Sequence, residues 1–132
     1  MRRRHLVALL MLACAAPAAA SEKPEAKKTK GGASYLPMST LTGATNKPGG
    51  RRGVLTVDCG LDVPDAGLRA RADASLPRLR AAYVQIVTVY AAGLPMGAAP
   101  NVDFLARNLQ SQTDAILGKP GARVLLGAVL VN

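Results

Sequence analysis

Residues 78–95 read RLRAAYVQIVTVYAAGLP, and the six residues VQIVTV at the centre are β-branched like a strand while alanine pairs flank them like a helix. Phase decides between the two. At about 100° per residue, Leu68, Ala72, Leu76, Leu79, Tyr83, Ile86, Val87 and Tyr90 fall within an arc of roughly 100°, while Arg71, Arg78, Gln85 and Thr88 point elsewhere. A strand accounts only for the six central residues. The helix accounts for the whole segment from Pro64 and Asp65, which supply a start signal, to Gly93, which stops it. The expectation is one long helix, kinked or divided at Pro77 on its outer face.

Val84 and Val89 lie off that arc, so the helix carries more apolar surface than one core requires. They are either a second layer of the core or a subunit interface.

Working outward, GVLTVDCGLDV (53–63) alternates Leu55, Val57, Cys59, Leu61 and Val63 with Thr56, Asp58, Gly60 and Asp62, the pattern of a half-buried strand. Cys59 falls on the dry face as a small core residue. Before it, ATNKPGGRRG is a turn, and ASYLPMSTLTG is a short strand that Pro37 places at an edge. After the long helix, GLPMGAAPN is a loop. A second helix then starts at Asn101 as cap, repeats Val102, Leu105, Ala106, Leu109, Thr113 and Ile116, and ends at Gly118 and Pro120. The final ARVLLGAVLVN is apolar on both faces and reads as a buried strand, central or covered by helices. The fold class expected is α+β: one small domain over 35–132, with a short sheet of about three strands packed against two helices.

The N-terminus has Arg2, Arg3 and Arg4, an apolar run from Leu6 to Ala16, and the small residues Ala18 and Ala20 ahead of Ser21. That is a secretory signal over 1–20, with cleavage after Ala20 and export to a Gram-negative periplasm, by the general or the twin-arginine route. The run is shorter than the ~20 residues of a spanning helix. MLAC also resembles a lipoprotein signal, so the alternatives are a lipid anchor at Cys14 or an uncleaved signal.

Removal of that segment takes the only histidine, His5, and leaves Cys59 as the one cysteine, so no internal disulfide is possible. Net charge falls from +9 to +6. Residues 21–52 hold seven Lys/Arg against two Glu, and residues 53–132 hold seven against six Asp. The basic charge therefore belongs to a disordered linker, 21–34, that tethers the domain beside an anionic membrane surface. Nucleic acid is not expected, because the basic residues are not interleaved with aromatic platforms on a folded face.

Chemistry is sparse. Without histidine, and with one core cysteine, serine or cysteine hydrolysis and zinc sites are excluded. The glycines of NKPGGRRG lead into a strand and serve a turn, not a phosphate loop. Asp58 and Asp62 share a strand face about 13 Å apart, too far for a glycosidase pair. No enzyme, cofactor or metal is expected.

The order of elements, with GVLTVDCGLDV leading to LRARADASLPRLRAAYVQIVTVYAAGLP, then VDFLARNLQSQTDAIL and a terminal VLLGAVLVN, resembles the flagellar basal-body-associated FliL family. The features that carry the resemblance are the step Pro77-Arg78-Leu79-Arg80, the pair Ile116-Leu117 before Gly118, and the apolar last strand, across residues 35–132. It implies a periplasmic, stomatin-like domain that oligomerises into rings around the stator units of the flagellar motor. The partners that the resemblance implies are further copies of the chain and flagellar stator or other inner-membrane proteins. The family keeps a transmembrane helix where this chain has a cleavable-looking signal, which points to a periplasmic paralogue of the motor component. The rival reading is a small periplasmic carrier of lipid or apolar ligand, with its cavity between the long helix and the sheet, under Tyr83 and Tyr90.

Overall fold

A computed structural model describes residues 32–132. The expected signal, with Ala18, Ala20, Ser21 and Cys14, and most of the expected linker lie outside the described residues.

The alternating segment forms β3 (Arg52–Asp62), and Leu55, Val57, Cys59, Leu61 and the following Val63 are buried. It is the central strand. On one side, β1 (Tyr35–Pro37) and β2 (Leu41–Asn46) lie end to end against it, both antiparallel. Between them Met38–Thr40 face only Asp58 and Cys59, so the edge is broken where Pro37 removes a donor. A turn with positive φ at Gly49 and Gly50 joins β2 to β3. The first stretch is thus two strands on a shared edge, and the sheet has four strands where about three were expected.

The deciding stretch is helical. It is two helices, α1 (Ala66–Ala74) and α2 (Leu76–Gly93), parted at Ser75. Pro77 lacks an N–H, and that costs nothing in a first turn, so the new helix begins one residue before the proline. Asp65 caps α1 by accepting from the Leu68 N–H at 2.7 Å. Leu79, Tyr83, Val87 and Ala91 form the buried stripe of α2, with Ile86 and Tyr90 half-buried beside it.

α2 packs on β2 at unusually close range. A Cβ on Gly43 would stand 2.7 Å from the Ala91 Cβ and 2.8 Å from the Val87 carbonyl oxygen, so only glycine lets the helix backbone approach. α3 (Val102–Leu117) presents Leu105, Leu109, Thr113 and Leu117 at a strict four-residue repeat, and ends at Gly118 with φ 77°. The Arg71 guanidinium donates to the Leu117 carbonyl oxygen at 3.1 Å and ties α1 to that end.

β4 (Arg123–Val131) pairs with the free side of β3. It is not the buried central strand its composition suggests: none of its residues is fully buried, and Leu125, Leu130 and Val131 are 39, 54 and 38% exposed. β3 already holds the centre, so the last strand can only be an edge. Among the described residues, all three helices lie on one face of the sheet. The other face is open, apart from the Tyr35 ring over Gly60.

The linker also ends earlier than expected. The Ser34 hydroxyl donates to Asp62 at 2.7 Å, its carbonyl accepts from the Val63 N–H, and the Ala33 carbonyl accepts from Arg69. Ala33 and Ser34 belong to the domain.

Candidate functional site

Several polar side chains are occupied by structural bonds, while the buried Thr45 hydroxyl has no partner among the described residues. Asp58 accepts from the Thr40 hydroxyl at 2.7 Å and Asp62 accepts from Ser34, so each carboxylate steadies the adjacent edge strand. Among the described residues, no three His, Cys, Asp or Glu side chains gather closely enough to hold a metal ion. Cys59 sits in the core, and burial, followed by the Asp58 carboxylate, pushes its thiol up to about 11 while Arg80 pulls the other way. Such a thiol is inert at neutral pH.

Tyr83 is fully buried. Its hydroxyl bonds the Thr113 hydroxyl, which donates onward to the Leu109 carbonyl oxygen at 2.7 Å. Burial pushes the phenol up to about 12, with the Thr113 bond opposing it. This relay locks α2 to α3.

A cleft of about 710 Å³ opens on the shoulder between the second half of α2, the connecting loop and the first half of α3. Its apolar lining is Ile86, Val89 and Tyr90 from α2, Leu94, Pro95, Ala98 and Ala99 from the loop, and Phe104 from α3. Gln85, Asn101 and Asn108 supply the polar groups. The Tyr90 and Phe104 rings stack with centroids 5.6 Å apart at 29°. Asn101 caps α3 by accepting from the Phe104 N–H at 3.0 Å, and its own N–H donates to the Tyr90 hydroxyl at 2.6 Å. Local sequence explains the shape: Gly93 ends α2, Gly97 at φ 76° turns the loop, and the cap orients the first turn of α3 so that Phe104 faces Tyr90.

The lining offers no carboxylate, imidazole, thiol or amine. A site of this kind holds an apolar group by burial and orients it with neutral amides and the Tyr90 hydroxyl.

Val84 and Val89 are both exposed, at 36 and 62%. They are not neighbours: five residues apart on a helix, they point about 140° from each other. Val89 lines the cleft, and Val84 lies on the opposite flank of α2. Phe104 is the residue that sequence reasoning missed. Its signal was available, since the only phenylalanine stands in the first turn of α3, off the repeat made by Leu105 and Leu109.

No protein-family model matches the chain, and no curated protein matches it.

Proposed function

We propose that this is an exported, non-enzymatic protein that self-associates as an accessory or scaffold of a membrane complex, in the manner the FliL resemblance implies. The observation that carries the reading is apolar surface on both flanks of α2, Val84 on one and Val89 with the cleft on the other, outside the core stripe. A ring subunit meets its two neighbours through different surfaces, and a helix with two apolar flanks suits that geometry. In this reading the periplasm is the compartment, the basic linker keeps the domain near the membrane, and stator or other inner-membrane proteins are the partners.

The test is the double variant V84D/V89D. Neither side chain belongs to the buried stripe, so circular dichroism should be unchanged while light scattering shows a lower mass, because an unpaired carboxylate in an interface costs several kcal/mol. Lost helicity would make these valines core residues; unchanged mass and fold would make them plain surface.

The cleft supports a second reading, a carrier of an apolar ligand such as an acyl chain. Saturable binding of a fluorescent fatty acid, lost in Phe104→Asp, would favour it over the scaffold.

A further inference from the structure

β4 is a nine-residue edge strand whose only charge is Arg123 at its start. The direction of its unpaired groups follows from its bonds. Val54 and Asn132 exchange both backbone hydrogen bonds, so Leu130 also turns toward β3, while Val129 and Val131 turn away. At the other end the Val124 N–H donates to Gln110 Oε1 at 2.9 Å, so Val124 and Leu126 turn away as well. A bulge at Gly127–Ala128, opposite Asp58, reconciles the two halves. Among the described residues no strand meets the outward groups of Leu126, Val129 and Val131. Natural edges are blunted by prolines, charges or short length, and this one has only the bulge and Gln110.

We infer that β4 pairs antiparallel with β4 of a second copy, joining two sheets into one across a two-fold axis between Gly127 and Ala128. The inference does not rest on the reading of α2. What selects a second copy is the match of the strand to itself. In this register Leu126 stands opposite Val129 of the other copy and exchanges both hydrogen bonds with it, and Val124 stands opposite Val131. All four lie on the helix-covered face, so apolar meets apolar there. On the open face the exposed Leu125 and Leu130 cover each other across the axis. Each Arg123 falls at an outer end, opposite Asn132, far from its counterpart.

The far edge explains why the contact closes. It carries Pro37 and the break at Met38–Thr40, so it offers β4 only the six residues of β2 as a continuous complement. β4 to β4 uses the longer strand, is isologous and ends at two sheets. Gln110 Oε1 stands where the Val131 carbonyl would accept from the Val124 N–H, so the Val124–Val131 pair forms as the Gln110 side chain gives way, whereas the Leu126–Val129 pairs need no such shift.

The test combines amide exchange with a charge swap, on the purified full chain. In the wild type, the outward amides of Leu126 and Val129 should be protected at high protein concentration and lose protection on dilution. In L125K/L130K like charges stand opposite across the axis, whereas within one copy position 125 lies diagonal to Asp58 and Asp62, which tolerate lysine. Its mass by light scattering should be half that of the wild type. L125K/L130E places opposite charges across the axis and should restore the full mass. Fast exchange at Leu126 and Val129 at all concentrations overturns the inference, as does an L125K/L130K variant that folds with unchanged mass. Protection in a wild-type monomer also overturns it. Should L125K/L130K fail to fold, the wild-type exchange pattern alone decides. V84D/V89D reads the α2 surface separately, so either contact can fail without the other.

Discussion

Tyr83 and Thr113 face each other across α2 and α3, and the order of donation makes them unequal. Thr113 keeps its bond to the Leu109 carbonyl when Tyr83 loses its hydroxyl, whereas Tyr83 keeps no partner when Thr113 becomes valine. A buried hydroxyl left unpaired costs about 1–3 kcal/mol, more than the ~1 kcal/mol of a bond removed cleanly. Thr113→Val should therefore destabilise the domain more than Tyr83→Phe, measured as a larger drop in the urea midpoint at unchanged slope. The same burial sets an alkaline limit. Cys59 rises from its ordinary 9.0 to about 11 and Tyr83 from 10.0 to about 12, so above 9.0 the unfolded chain has released protons that the folded chain keeps. With fewer protons bound in the unfolded state, stability falls as pH rises, by ~1.4 kcal/mol per pH unit for each group. Urea unfolding should be flat below pH 9.0 and weaken from there to about 12, and Cys59→Ala should delay the onset toward 10.0. The arc that buries Tyr83 was legible in the sequence, as was the face of α3 carrying Thr113. Their bond was not, because periodicity gives each helix a dry side but no relative rotation.

At the scale of elements, α2 is placed by a glycine. Gly43→Ala puts a methyl where the Ala91 side chain and Val87 carbonyl already stand, so the helix must shift off β2. Overpacking of this kind costs about 1–3 kcal/mol. A lower thermal midpoint for Gly43→Ala, with Ala44→Ser on the exposed face of the same strand as the neutral control, checks it; equal midpoints would mean the contact is slack. The helix itself was readable, because the stripe from Leu79 to Ala91 outlasts any strand and overrides its β-branched valines. The caps at Asp65 and Asn101 and the stop at Gly118 were readable for the same local reasons. β4 was misread. A continuous apolar run is the mark of a strand covered on both faces, yet coverage belongs to topology: with β1 and β2 along one side of β3, the last strand takes the other side and stays an edge. The division was expected at Pro77 and falls at Ser75, since a proline announces a helix boundary without saying that the boundary precedes it.

At the scale of the whole domain, the described residues form an α+β fold with one covered sheet face, one open face and apolar surface in two places, the flanks of α2 and the edge of β4. The first place was legible as valines off the core arc, although their separation onto opposite flanks became visible only in three dimensions. The cleft beside Tyr90 was not legible, because it is made by a loop turn, a cap and one phenylalanine brought together from separate elements. A domain of this size has little reason to leave such surfaces to water, and in the proposed reading both find cover in further copies of the chain. The central claim is that the protein works as an assembly. The mass of the purified full chain, followed by light scattering across a range of concentrations, tests that claim most directly. The account predicts an even multiple of the monomer mass that falls on dilution, whereas a monomer at every concentration, or an odd-numbered assembly, would contradict it.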